Sequence, residues 1–370
     1  MKVALIYNKT EILDSDVIYR FGMPTKERYK PHTIEMVAEG LASGGHEVAV
    51  IEGVKDVITR LEAFMPPAQA NGSMGIVFNM AYGVQGLSRY THIPAILELV
   101  GVPYLGSSPV GHAIALDKVL SKVLFMRHNL PTPDFWVFSG SDEDISGVRY
   151  PVIIKPKMEA VSFGIQIVRQ ESELREAIAF IISEFEQDAL VEEFIPGREY
   201  AVSLVGNGES LQALPIVEID LESDPDGIQT YEEKMHKPRK KICPVAIDPF
   251  LDTKLKQLSK DAFNALGLFD FARVDFRVDT NGNPHILEIN SMASLNPTGS
   301  FVMSGEVAGM SFADLVNKML DVASIRYFGK PACRRVDLNR VSISLGDSGD
   351  WEEFDKVQDQ IKELNLFSDT

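Results

Sequence analysis

The chain has 370 residues, with 36 Lys and Arg against 53 Asp and Glu, which gives a formal net charge of −17. This excess of acid argues against nucleic acid or an anionic membrane as a partner, because affinity for such surfaces comes chiefly from released counterions. The two cysteines, Cys243 and Cys333, have no metal-ligand spacing, which argues against a cysteine zinc site and a disulfide framework. No run approaches the roughly 18 apolar residues of a membrane span, so we expect a soluble protein, and the cysteine usage indicates a reducing, cytoplasmic location.

Apolar runs alternate with helical patterns in the N-terminal part. Strands are predicted at VALIY, EVAVIE and GIVFNM, with helices near 32–43 and 55–65. Strand and helix alternating at this spacing indicate a parallel sheet. Residues 1–106 are therefore predicted to form a small doubly wound α/β domain.

The rest of the chain is predicted to contain two α+β units and a tail. A long helix at 109–129 should end before Pro131, and a helix at 171–185 separates strands such as PVIIKPK and ALVEEFI, which suggests one unit at 107–206. Helices near 249–266 and at SFADLVNKML, with strands LQALPIVEI, FARVDFRV and PHILEIN, suggest a second unit at 207–328. Between them, 222–241 is polar without periodicity, and 329–370 is an acidic tail.

The stretch FARVDFRVDTNGNPHILEIN is the most informative one. Asn281 and Gly282 predict a type I′ hairpin turn, since both central residues of that turn need positive φ. Side chains alternate between the two faces of a strand. With this turn, one face carries the pairs Asp275 with Glu288 and Arg273 with Asn290. The other face is predicted to be core: Val274, Phe276, Val278, His285, Leu287 and Ile289.

Two interpretations of the polar face are open. Directly opposed carboxylates destabilise a sheet unless something compensates, and Mg²⁺ favours one or two carboxylates with further oxygen ligands. Alternatively, this is a solvated sheet edge where Arg273 and Arg277 neutralise the acids. The symmetry about the turn favours the metal site, and a bulge would shift the register.

Other candidates are ambiguous by themselves. Lys155 interrupts an apolar strand before a loop, so its ammonium either contacts phosphate or reaches solvent at the strand end. The basic run KMHKPRKK at 234–241 is either a lid over a polyphosphate, with Lys234 as its main candidate, or a solvated loop. Neither a P-loop nor a dinucleotide-binding GxGxxG is present, which disfavours a P-loop nucleotidase and a dehydrogenase.

Taken in order, LDKVLSK at 116–122, PVIIKPK at 151–157, VEEFIPGREY at 191–200, ARVDF at 272–276 and ILEIN at 286–290 resemble the ATP-grasp superfamily. In order and spacing they are most similar to the D-alanine:D-alanine ligase family, over roughly residues 75–322. The resemblance implies an ATP-grasp fold behind an N-terminal α/β domain. It also implies ATP held between the central and C-terminal units, formation of an acyl phosphate and attack by an amine.

The resemblance also implies roles for individual residues. Phosphate contacts would come from Lys118, Lys155, Ser162 and Lys234, adenine contacts from Glu192, Glu193 and Ile195, and a ribose contact from Glu199. Asp275, Glu288 and Asn290 would hold Mg²⁺ or Mn²⁺, while Arg273 would stabilise the oxyanion. Members of the family are commonly homodimers.

The substrate region departs from the family. Its glycine-rich loop with an amine-binding glutamate is absent, Val161 and Met235 replace a serine and a tyrosine, and Ser294 replaces the oxyanion glycine. A new pocket is therefore predicted, with these polar candidates: Glu11, Asp14, Asp16, Tyr19, Arg20, Arg89, Tyr90, Ser294 and Ser300.

Three functions follow from these observations. The leading one is an ATP-dependent ligase that joins a small carboxylate to a small amine, with amino acids as expected substrates. The second is a D-alanine:D-alanine ligase with an unusual pocket. The third is a nucleotide-binding regulatory protein without turnover, against which Arg273 beside the metal site argues.

Overall fold

The computed structural model describes residues 1–9, 15–20, 27–66, 75–160, 162–221, 227–332 and 343–345. Its N-terminal unit contains, in order, β1 (Lys2–Tyr7), α1 (Pro31–Ser43), β2 (Glu47–Glu52), α2 (Val57–Phe64), β3 (Gly75–Asn79), α3 (His92–Val100) and β4 (Tyr104–Leu105). These strands form a parallel sheet in the order β2-β1-β3-β4. Alternate residues of β1 pack on opposite sides, Val3 and Leu5 towards α1, and Ala4 and Ile6 towards α2 and α3. The predicted doubly wound arrangement is confirmed.

The next elements form an antiparallel sheet covered by one long helix. They are α4 (Pro109–Leu116), α5 (Lys118–Arg127), β5 (Phe135–Phe138), β6 (Val152–Pro156), β7 (Gln166–Val168), α6 (Glu171–Phe185) and β8 (Ala189–Glu193). The strand order is β5-β8-β6-β7, and the apolar face of α6 packs on it.

The single helix predicted at 109–129 is wrong, because the structure has two helices that meet at Asp117. The backbone of Asp117 is extended, with ψ of 102°, and its carboxylate accepts hydrogen bonds from the N–H groups of Val119 and Leu120. An aspartate that caps the first turn in this way starts a new helix. As a result, Lys118 is the first residue of α5.

The last unit is built around a long antiparallel sheet in the order β12-β11-β9-β13-β14, with β10 beside β9. Its elements are β9 (Gly197–Val205), β10 (Gln212–Ala213), β11 (Val217–Ile219), α7 (Tyr231–His236), β12 (Lys241–Ile242), α8 (Pro249–Ala265), β13 (Phe271–Asp279), β14 (Pro284–Asn290), α9 (Ser300–Val307) and α10 (Phe312–Phe328). The polar stretch predicted to lack periodicity thus contains a short helix, and LQALPIVEI forms two strands instead of one. A further strand, β15 (Ile343–Leu345), pairs with β2.

A buried aspartate joins three parts of the chain. Asp270 is fully buried and accepts hydrogen bonds from Arg326 Nε and Nη2 at 3.0 and 2.7 Å, from Asn207 Nδ2 at 2.8 Å and from the backbone N–H of Gly106 at 2.8 Å. Arg326 lies on α10, and Gly106 follows β4. The hydrogen bond from Gly106 to this carboxylate therefore ties the N-terminal unit to the unit that carries β13.

No helix in the described ranges combines the length and the apolar character needed to cross a bilayer.

Candidate active site

The hairpin of β13 and β14 confirms the predicted pairs. Asp275 opposes Glu288, and Arg273 opposes Asn290. The predicted turn is wrong, however. The N–H of Asp279 donates to the carbonyl of Asn283 at 2.9 Å, so three residues form the turn, and of these only Gly282 has positive φ, at 81°.

The pairs survive because a β-bulge offsets the longer turn. Leu287 is the extra residue, since Phe276 opposes Ile286 whereas Asp275 opposes Glu288. Relative to the predicted two-residue turn, the pairs between the turn and the bulge are displaced by one position, and beyond the bulge the predicted register is restored. The prediction that His285 and Leu287 lie on the core face is therefore wrong: His285 is partly exposed, 3.8 Å from Asp279, and Leu287 lines a cleft.

The four polar side chains of the hairpin contact one another. Arg273 donates from Nε and Nη2 to the two oxygens of Asp275 at 2.7 and 2.6 Å, and Asn290 Nδ2 donates to Asp275 Oδ2 at 3.0 Å. Lys118 Nζ lies 3.4 Å from Glu288 Oε2. Burial would raise the pKa of Glu288, but Lys118 and three other nearby cations outweigh it and lower that pKa to about 2. The carboxylate is thus ionised at neutral pH.

These donors fit a hard divalent cation. The described residues contain no group of three or more His, Cys, Asp or Glu placed to hold a metal, but Mg²⁺ needs only one or two carboxylates. Of the about four acceptor sites of the Asp275 carboxylate, Arg273 occupies one on each oxygen and Asn290 occupies a second on Oδ2, which leaves one site on Oδ1. A cation would therefore be held mainly by Glu288, with the remaining site on Asp275. The amide oxygen of Asn290 would join them once its NH₂ group turns away from the two carboxylates.

A cleft lies between the sheet of β6 and β8 and the sheet of β9, β13 and β14. Apolar side chains including Ile153, Phe194 and Leu287 line part of it. The same cleft is lined by ten of the residues predicted from the sequence: Lys118, Lys155, Ser162, Glu192, Glu193, Ile195, Glu199, Lys234, Asp275 and Glu288.

One wall of the cleft contains a carboxylate between two lysines. Glu192 is buried, with Lys155 Nζ 2.5 Å from Oε2 and Lys122 Nζ 2.6 Å from Oε1. Burial would raise the pKa of Glu192, yet the two ammonium groups outweigh it and lower that pKa. Lys122 was not singled out from the sequence, although its position four residues after Lys118 places both on one face of α5.

A short helix covers one end of the cleft. Lys234, on α7, donates to Ser162 Oγ at 2.7 Å, and the ring of Tyr231 packs against Phe163 with centroids 5.3 Å apart. Burial lowers the pKa of Lys234. Val161 and the side chain of Met235 lie outside the described residues.

Lys241, from the same basic run, lies towards the segment 294–300. Its Nζ donates to the carbonyl of Thr298 at 2.7 Å. Burial, together with the nearby cations Arg273 and Lys234, lowers its pKa from 10.5 to about 8.

The predicted substrate residues separate into two groups. Arg89 and Tyr90 are buried and share Glu27: Arg89 Nη2 lies 3.2 Å from Glu27 Oε2, and Tyr90 donates to Glu27 Oε1 at 2.5 Å. Arg89 also lies 3.4 Å from Glu159, which lines the cleft. By contrast, Tyr19 is 80% exposed. Glu11 and Asp14 are outside the described residues.

Aromatic rings connect the group of Glu27, Arg89 and Tyr90 to the segment after β14. Tyr29 and Tyr82 stack with centroids 5.0 Å apart, and the backbone N–H of Leu295 donates to the Tyr29 hydroxyl at 3.2 Å. Ser294 accepts a hydrogen bond from the N–H of Asn296, and Ser300 begins α9. Glu27 and Tyr29 were missed from the sequence, because nothing local indicates that they meet residues so distant in the chain.

Comparisons with known proteins agree with this geometry. The family model described as "D-ala D-ala ligase C-terminus" matches residues 125–321. A protein of Sinorhizobium fredii described as "Uncharacterized protein y4sG" is 41% identical over 337 residues, which cover 89% of this chain and 98% of that protein.

Proteins described as D-alanine–D-alanine ligases are more distant. The one from Bordetella pertussis is 32% identical, covering 68% of this chain and 78% of its own length, and the one from Moorella thermoacetica is 30% identical, covering 82% and 97%. The crystal structure of the D-alanine–D-alanine ligase from Bacillus anthracis in complex with ATP has the same fold, with a TM-score of 0.67 at 19% identity over 88% of this chain and 98% of that one.

Proposed function

This chain belongs to the D-alanine–D-alanine ligase family of ATP-grasp enzymes, and from that premise we propose that it joins the carboxyl group of one small molecule to the amine of another at the expense of ATP. The observation that carries the proposal is the opposition of Asp275 and Glu288, with Arg273 alongside, at a cleft that also contains Lys118, Lys155 and Lys234. Nucleotide binding alone would not need an arginine at the site where an oxyanion forms.

The cleft residues divide by what they would bind. The ammonium groups of Lys118, Lys155 and Lys234, with the hydroxyl of Ser162, would bind phosphate oxygens. Asp275, Glu288 and Asn290 would hold Mg²⁺ or Mn²⁺, which when bound would offset phosphate charge. The adenine would lie near Glu192, Glu193 and Ile195, and the ribose near Glu199.

The chemistry follows from the charges of these side chains. The γ-phosphoryl group passes from ATP to the substrate carboxylate, which releases ADP and gives an acyl phosphate. Attack by the amine places negative charge on the former carbonyl oxygen, and the amide forms when inorganic phosphate leaves and the nitrogen loses a proton. The guanidinium of Arg273 is held in one orientation by its two bonds to Asp275, so it stabilises that oxyanion without rearranging. Positioning and charge supply most of the rate enhancement in such steps.

The substrates are proposed to be amino acids other than D-alanine. What supports this is the group of Glu27, Arg89 and Tyr90 where the family's glycine-rich loop is missing, together with Ser294 at the glycine position. Ser294 and Ser300 are proposed to contact the amine substrate. The cytoplasmic location and the homodimer stay predictions.

Formation of ADP tests the proposal. The chain should be incubated with Mg²⁺, ATP and a panel of amino acids, each alone and in pairs, with Asp275→Asn as the inactive control. We expect ADP with at least one pair and almost none with D-alanine alone. Brisk turnover of D-alanine would make the protein a D-alanine–D-alanine ligase, and ATP binding without ADP from any pair would favour the regulatory function.

A further inference from the structure

Lys122 is a charged side chain buried completely inside the protein. Its Nζ lies 2.6 Å from Glu192 Oε1, donates to Thr132 Oγ1 at 2.7 Å and lies 5.8 Å from the centroid of the Phe135 ring. Thr132 in turn donates to the carbonyl of Ile286, beside the bulge. A buried ammonium is costly unless it is paired, so its partners fix its position.

Glu192 contacts two ammonium groups, although one would balance its charge. Lys155 approaches its second oxygen at 2.5 Å, but the side chain of Lys155 is 12% exposed and lines the cleft, whereas that of Lys122 has no exposed surface. If Lys155 turns towards a phosphate, Glu192 loses one partner. A buried carboxylate left without a cation would bind a proton. Lys122 prevents this because it cannot follow Lys155 into the cleft.

We propose that Lys122 is a positioning residue for the nucleotide: it keeps the Glu192 carboxylate ionised and in place, which frees Lys155 for phosphate and makes Glu192 a hydrogen-bond acceptor for the base. The inference rests on the proposed ATP site and adds to it the selection of adenine over guanine.

The selection follows from the hydrogen-bonding groups of the two bases. Adenine has an amino donor where guanine has a carbonyl acceptor. An ionised carboxylate only accepts hydrogen bonds, so it binds the adenine amino group and repels the guanine oxygen. A protonated carboxyl group could donate to guanine, and selectivity would fall.

Calorimetry with ATP and with GTP, each with Mg²⁺, measures this selectivity in the full chain. We expect the wild type to prefer ATP by about 10- to 100-fold, as a hydrogen bond to a charged group implies. Lys122→Met should lose most of that preference, mainly through weaker ATP binding. Lys157→Met is the matched control, because Lys157 pairs with Asp188 at 2.7 Å and does not line the cleft.

A second set of variants, made with Glu192→Gln, separates the positioning of the Glu192 carboxylate from a general structural effect of Lys122→Met. In Glu192→Gln the amide can present either its oxygen or its N–H₂, so the preference should already be lost. Adding Lys122→Met to Glu192→Gln should change the ATP to GTP ratio by less than about twofold, because no carboxylate is left to hold. Thermal unfolding of each variant shows whether it folds.

The outcomes are distinct. A folded Lys122→Met with the wild-type ATP to GTP ratio overturns the inference. If Lys122→Met does not fold, the double variant must fold and match Glu192→Gln, and its failure to do so also overturns it. A wild type that binds both nucleotides equally refutes this inference alone, whereas one that binds neither refutes the proposed ATP site.

Discussion

Removing the Asp270 carboxylate should weaken the junction between the N-terminal unit and the unit that carries β13. In Asp270→Ala, the amide of Asn207 and the backbone N–H of Gly106 lose this acceptor, and Arg326 loses its counter-ion and keeps only backbone carbonyls as acceptors. Breaking a buried ion pair by removing one partner costs about 3–5 kcal/mol. Asp270 also has a φ of 69°, and alanine in this left-handed region adds about 1 kcal/mol.

Urea denaturation of the full chain measures this loss. With a denaturant dependence of about 3 kcal/mol per molar, a loss of about 4 kcal/mol lowers the midpoint by about 1 M or more. Asp270→Asn should lie between the wild type and Asp270→Ala, because it keeps the shape and some acceptor capacity. The matched control is Asp252→Ala, which removes a partly exposed pair with Lys256 and should cost less than about 1 kcal/mol.

The result that would refute this reasoning is a midpoint for Asp270→Ala equal to that of Asp252→Ala. A double variant, Asp270→Ala with Arg326→Met, should recover part of the loss, since it no longer leaves a guanidinium without its counter-ion. If the double variant is instead less stable by the sum of the two single losses, the pair is not coupled and the assignment of the cost is wrong.

Three further predictions concern the cleft and the basic run beside it. Glu288→Gln should weaken ATP binding at least about tenfold in Mg²⁺, because a metal contact is lost, but should change ATP binding little in EDTA. Equal weakening under both conditions would contradict a metal role for Glu288. Ser162→Ala removes the hydrogen bond that holds Lys234 and should raise the KM for ATP about three- to tenfold, and an unchanged KM would show that the bond does not support binding. In Lys241→Met, a lysine with a folded pKa of about 8 and an ordinary value of 10.5 is removed. Between these values the unfolded wild type binds more protons than the folded wild type, so the stability of the wild type rises with pH. We therefore expect the variant to have the higher unfolding midpoint at pH 7 and the two midpoints to converge by pH 10.5. A difference between the midpoints that stays constant with pH would refute the shift.

Most of the architecture could be predicted because the patterns are local. Period-two runs and proline stops located the strands and most helix ends. The break at Asp117 was missed since apolar periodicity continues across it, although an aspartate is a frequent N-cap and is a signal that could have been used. For the same reason, Lys118 could be identified as a site residue, but its position as the first residue of α5 could not be predicted.

The site was partly predictable for a different reason. Asp275 and Glu288 were placed opposite each other by a turn that does not exist, and the pairing held only because the bulge at Leu287 compensated. Bulges leave little trace in a single sequence. Glu27 and Lys122 could not be predicted either, since their importance depends on burial and on partners 62 and 70 positions away, Arg89 and Glu192.

Redesign of this hairpin must treat its turn and its bulge together. Substitutions that tighten the loop to a two-residue turn, with no residue removed, would shift the pairs next to the turn by one position. If the bulge at Leu287 were kept, Asp275 would then face Ile289 instead of Glu288. The two acids would stay face to face only if the bulge were lost together with the longer turn.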